Sequence, residues 1–147
     1  MGVAQSIDVF ATGLVAGVFL MGSFAVHPAA ARLDASSHFL LRQQLIHRLS
    51  KLMPPLMLLS VAACITVFIV CRTSVSWQIN TLSGVLSLAT MGITIAVNVP
   101  LNRRFARWSP SALPCDWERS VQRWNAAHGA RTATAVAAFV CAIFAGF

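Results

Sequence analysis

Charged side chains are scarce in this sequence, making up 10% of 147 residues where an ordinary soluble domain carries roughly a quarter. That shortage excludes a typical soluble globule. Lys and Arg are missing altogether before Arg32, whereas a secretory signal peptide opens on a basic segment, so the first apolar run is expected to be retained as a span. The four cysteines, Cys64, Cys71, Cys115 and Cys141, form no C-x-x-C pair and no zinc-type spacing. Those expected within helices act as small hydrophobes, and only Cys71 and Cys141 share an end of the molecule where a disulfide could form. No internal repeat occurs, and no polar stretch is long enough for a separate soluble domain. The formal charge of +7 would suit a nucleic-acid binder, but the hydrophobic runs overrule that reading.

What remains is a set of uncharged stretches. Between Asp8 and Arg32, Lys51 and Arg72, and Arg72 and Arg103 lie 23, 20 and 30 residues without charge. Each suffices for a bilayer, which needs about 20. The last stretch, Thr132 to Phe147, has 16 residues. At about 1.5 Å per residue it falls short of a hydrocarbon core of about 30 Å, so a fourth span must start earlier and carry Arg131 into the membrane. The expected fold is all-α: one integral membrane domain over 1–147, a four-helix transmembrane bundle with spans near 9–30, 53–70, 77–101 and 126–147.

Charge placement sets the expected orientation. Lys and Arg number four from Arg32 to Lys51, one at Arg72, and six from Arg103 to Arg131. The positive-inside rule puts both basic loops in the cytoplasm and both termini outside the cell membrane. The stretch from His38 to Met53 mixes apolar and basic residues, either lying on the interface or extending the second helix, with Ser36 and Ser37 as candidate caps. Pro54 and Pro55 mark the change to span two, and Pro100 is expected to break span three. Ser109-Pro110 and Leu113-Pro114 are turn signals in the loop that follows. Trp77, Trp108, Trp117 and Trp124 lie near helix ends, where an interfacial aromatic belt is expected. Gly13 and Gly17 offer a small-residue face for packing within the chain or for a homo-oligomer.

Polar residues gather at one level. His27 closes span one, Asn98 and Asn102 close span three, His128 and Arg131 open span four, and His47 precedes span two. On span four Trp124, His128 and Arg131 share a stripe; on span three Thr94, Asn98 and Asn102 share another; Ser23 and His27 are four apart on span one. Ionisable residues within a span are costly in lipid and usually face the bundle interior. These residues are therefore the candidate site, unless Arg131 snorkels to headgroups and the histidines wet the interface.

The motifs Ala25-Val26-His27-Pro28, Met53-Pro54-Pro55-Leu56-Met57 and Asn98-Val99-Pro100-Leu101-Asn102, followed by Asp116-Trp117, Arg123-Trp124, His128 and Arg131, resemble the small four-span membrane proteins related to fungal anthrone oxygenases. The resemblance implies a four-helix membrane bundle that adds oxygen to an anthrone to give an anthraquinone. An anthrone methylene loses a proton to give an electron-rich enolate that can reduce dioxygen, with no cofactor strictly needed. Such a site needs a base, donors for the enolate oxygen and a dry slot. His128 or His27 is the expected base, Arg131, Asn98 and Asn102 the oxyanion donors, and Ser23, Thr94, Trp124 and His47 the substrate-binding residues.

Two other readings stand beside this one. A metal or haem among His27, His47 and His128 would suit imidazole chemistry in a bundle core. A non-catalytic protein, whether carrier, complex subunit or scaffold, would use its basic loops for anionic lipids. The expected partners are a hydrophobic small molecule, dioxygen and the lipid bilayer, with no nucleic acid.

Overall fold

A computed structural model of the chain describes residues 2–70 and 76–146. Cys71 and Arg72 lie outside these, and with them the disulfide considered above. Among the described residues, four helices are long and apolar enough to cross a membrane: α1 (Val3–Ala30), α2 (Ala35–Val70), α3 (Trp77–Phe105) and α4 (Trp117–Phe144). They form an all-α four-helix bundle, an architecture compatible with a multi-pass membrane protein. The pair α1 and α3 stands diagonally, each packing against both α2 and α4.

Helix α2 settles the alternatives left open for its amphipathic stretch. Its 36 residues run without interruption through Pro54 and Pro55 and span about 54 Å, well beyond an apolar core of about 30 Å. The amphipathic part is therefore the lower half of the same helix. Met53 and Met57, flanking the prolines, pack with Val15, Ala16, Phe19 and Ala135. The cap is Asp34 rather than Ser36 or Ser37: its Oδ1 accepts the Ser37 amide at 3.0 Å. An acidic acceptor three residues ahead satisfies a donor that the first helical turn leaves open.

Pro100 does not break α3. Instead α1 and α3 each contain one widened, π-helical turn, at Gly22–Val26 and Thr94–Asn98. In both, the amide after the turn reaches back five residues, from His27 to the Gly22 carbonyl and from Val99 to the Thr94 carbonyl. Both turns end two residues before a proline, Pro28 or Pro100, whose missing donor disturbs the regular ladder. The extra residue keeps each helix continuous while changing which residues face inward.

Small and polar residues set the helix spacing at the opposite end. Helix α1 starts at Val3, so Asp8 lies within it and is 1% exposed. Its carboxylate accepts from the Cys64 thiol at 3.0 Å. Ser83 donates to the Ala138 carbonyl and Gln5 to that of Ala142, tying α3 and α1 to α4. Gly13 meets α4 within the chain: a Cβ there would lie 2.8 Å from Phe139 Cε2, whereas at Gly17 it would meet nothing. Among the described residues, Cys64, Cys115 and Cys141 form no disulfide with one another.

Two outcomes are expected. Gly13→Ala should lower the thermal midpoint through an overpacking cost of about 1–3 kcal/mol, and Phe139→Leu should restore most of it; purely additive losses would show that the two positions do not meet. The Asp34 carboxyl, which lies outside the helical spans, is held below the usual carboxylate range by hydrogen bonds from Ser37. Its capping contribution is thus present above the ordinary carboxylate pKa of about 3.9 and lost as pH falls through the lowered value. Hydrogen exchange should show Asp34→Ala deprotecting the Ser37 amide at neutral pH, with no further effect once the wild type is acidified below that range.

Candidate active site

The site lies where α1 and α3 end and α2 and α4 begin. A cavity of about 630 Å³ opens there, walled mainly by aliphatic and Met side chains such as Val18, Leu45, Leu49, Met53 and Met91. Its polar lining is small and comes from all four helices: His27 from α1, Arg42 and the exposed Ser50 from α2, Thr94, Asn102 and the exposed Arg103 from α3, and Trp124, His128 and Arg131 from α4.

Arg131 points inward and is 8% exposed, so it does not snorkel. Its Nε and one terminal nitrogen both contact His128 Nδ1, at 3.0 and 2.9 Å. Its other terminal nitrogen donates to Thr94 Oγ1 at 3.3 Å, and the guanidinium sits 4.4 Å from the Phe19 ring centre. A guanidinium has no acceptor, so His128 Nδ1 must supply the lone pair. That assigns the neutral His128 ring its proton on Nε2, a tautomer inferred from the network.

The His128 ring is held on three sides. Trp124 stacks on it at 5.0 Å with planes 15° apart. Phe19 and His27 meet it edge-on, with centroids 5.6 and 4.7 Å away. Its Nε2 and that of His27 are both buried with no side-chain hydrogen-bond partner among the described residues, and both lie beside Gly22. A Cβ at position 22 would come within 2.7 Å of His128 Nε2 and 3.5 Å of His27 Nε2. Glycine is what allows α1 to approach the His128 ring of α4.

Helix α3 secures Trp124. The indole N–H donates to Asn102 Oδ1 at 2.7 Å, which leaves the Asn102 amide nitrogen for the cavity. Asn98 plays a different part from Asn102. It is wholly buried behind Trp124, donates to the Trp124 carbonyl at 3.3 Å, and does not line the cavity.

The remaining expected residues separate. Ser23 is within 3.0 Å of the Thr132 hydroxyl and ties α1 to α4 away from the cavity wall. His47 is exposed and takes no part in the cluster. It follows Arg42 by five residues, a rotation of about 140° around the helix, and so leaves the inner face. Trp108 is not a free belt residue either, since it packs against Phe39 and Phe105. For a metal, His27 and His128 offer the one pair of imidazoles that meet, and no group of three or more His, Cys, Asp or Glu side chains among the described residues is placed to hold an ion.

Arg42 was not singled out in the sequence. It is 5% exposed, its guanidinium lies 4.8 Å from the Trp124 ring centre, and one nitrogen donates to Asn125 Oδ1 at 3.2 Å. A signal existed: Leu45, Ile46 and Leu49 follow it at three, four and seven residues, so Arg42 lies on the apolar stripe.

Among curated proteins and among solved structures no match to the chain is found. The model of the anthrone oxygenase family, in contrast, matches residues 43–141. That stretch carries Thr94, Asn98, Asn102, Trp124, His128 and Arg131, while His27 and Arg42 precede it. With two thirds of its length so matched and the polar layer of α3 and α4 inside the match, the chain belongs to the anthrone oxygenase family.

Proposed function

We propose that this protein is a membrane-embedded oxygenase that converts the activated methylene of a flat, anthrone-like aromatic into a carbonyl, using dioxygen and no obligatory cofactor. One observation carries the reading: a histidine whose tautomer is fixed by a buried arginine meets a second histidine beside a large, mostly apolar cavity. The roles divide by hydrogen-bond chemistry. Since the Nδ1 lone pair of His128 is engaged by Arg131, His128 acts as a donor through Nε2–H. His27, whose ring is engaged by no side-chain hydrogen bond among the described residues, is left to act as base. Arg131 and the Asn102 amide complete the donors for the developing enolate oxygen.

The steps balance without another redox partner. His27 takes one methylene proton, and the electron pair left behind is delocalised onto the carbonyl oxygen. The enolate passes one electron to dioxygen, and the resulting carbon radical and superoxide combine to form a carbon–oxygen bond. The peroxide regains a proton from His27, then loses water as the second methylene hydrogen departs and the carbon–oxygen double bond forms. One oxygen atom stays on carbon and the other leaves as water. Burial among aliphatic side chains supports this chemistry by excluding bulk water and strengthening the donors.

Oxygen uptake by the purified full chain in nanodiscs, with 9-anthrone and above the uncatalysed rate, tests the assignment. His27→Ala and His27→Gln should both lower uptake by about 10²-fold or more, since neither side chain is a base. His128→Gln, which keeps an N–H donor, should retain more activity than His128→Ala. Wild-type uptake in folded His27 variants would sink the reading. A stoichiometric metal with a visible spectrum that depends on both histidines would favour a metal oxidoreductase, and anthrone binding without uptake a carrier.

A further inference from the structure

Arg42 and Arg131 both stand against the cavity, both lie within 5.3 Å of the Trp124 ring centre, and both are more than nine-tenths buried. No Asp or Glu lines the cavity, and the one salt bridge among the described residues, Arg104 with Asp116, is exposed and elsewhere. The aromatic ring and the Asn125 oxygen offset part of the cost of burying Arg42, yet its Nε and one terminal nitrogen have no acceptor among the described residues. Burying a cation without a counter-charge carries a large penalty, which a negative charge delivered nearby would recover. Arg131 has three of its five N–H donors engaged by His128 and Thr94, which leaves it two, whereas Arg42 has one engaged, by Asn125.

We propose that the natural ligand of this cavity is a planar aromatic carboxylate whose ionised carboxyl group is recognised by Arg42, separately from the carbon and oxygen that face His27, His128 and Arg131. This rests on the reading of the cavity as the substrate site. A carboxylate is favoured over a phenol because it is ionised at neutral pH, whereas an ordinary phenol is not. A guanidinium also presents a planar donor array matched to two carboxylate oxygens. The apolar walls accommodate the ring system. A lipid phosphate offers similar anionic chemistry, so the experiment must separate the two sources.

Anthracene-2-carboxylate and anthracene-2-carboxamide have the same shape and no oxidisable methylene, so their binding reports recognition without turnover. Titrated by fluorescence against the full chain in phosphatidylcholine nanodiscs, the carboxylate should bind about tenfold more tightly than the carboxamide or better. Arg42→Met should erase that preference, and Arg42→Lys should keep part of it. Equal wild-type affinities would overturn the proposal without any variant, as would a preference that survives in folded Arg42→Met protein. Displacement of the carboxylate by dihexanoyl phosphatidylglycerol, at concentrations below those at which the probe saturates, would assign Arg42 to a lipid headgroup and likewise overturn it. Absence of anthrone-dependent oxygen uptake with the carboxylate preference intact would remove the oxygenase chemistry while keeping the ligand class.

Discussion

A guanidinium buried in an apolar bundle must be held by something other than water, and around Arg131 that requirement organises the whole site. No carboxylate reaches it among the described residues, so a neutral histidine, a hydroxyl and the faces of Phe19 and Trp124 take that place. Each substitute is then constrained in turn. His128 cannot rotate without abandoning Arg131, Trp124 stacks on His128, and Asn102 and Asn98 fix the indole nitrogen and the Trp124 backbone from the neighbouring helix. Two contacts to one nitrogen and two ring faces are modest individually, but together they lessen a desolvation cost of several kcal/mol. The same contacts preset the orientation that chemistry at this level would require.

Backbone irregularity contributes the rest. In a bundle that crosses lipid, a break in the hydrogen-bond ladder has no water to mend it, so irregular turns are expected only where protein surrounds them. Both widened turns meet that condition on one side only, against the cavity, one ending just before His27 and the other running from Thr94 to Asn98, while Phe24 and Ile95 on their outer sides are exposed. The Gly22 position joins the two effects, opening the widened turn and leaving space for the His128 ring.

Much of this was legible beforehand because charge is so unevenly spread. Four helices followed from the gaps between charged residues, and the entry of Arg131 into the last span followed from the shortness of the last gap, with its turn inward or toward headgroups left open. His128 and Arg131 were found as neighbours because three residues on a helix bring side chains to one face. Other features were hidden for physical reasons. Asp8 read as the boundary of a span, although Ala11, Thr12, Val15 and Phe19 place it on the buried stripe of α1. Arg42 was masked by Arg48 and Lys51, which share its helix but not its face. Asn98 and Asn102 looked alike at four-residue spacing, and only the position of the Trp124 ring separates a buried brace from a cavity donor. Prolines that would stop a soluble helix are carried through here because the surrounding helices hold the chain in place.

The widened turns also define a phase relation. A regular helix advances about 100° per residue, so the one extra residue in each turn offsets everything beyond it by that angle relative to an uninterrupted helix. Before the turn, α1 points Asp8, Thr12 and Phe19 inward on ordinary spacing; beyond it, His27 reaches the cavity only in the shifted phase. The chain thus carries two registers in one helix, one for bundle packing and one for the site. Straightening the turn with every residue kept would rotate His27 by about 100°, toward lipid, whereas loss of one residue there would let a regular helix form with His27 still facing the cavity.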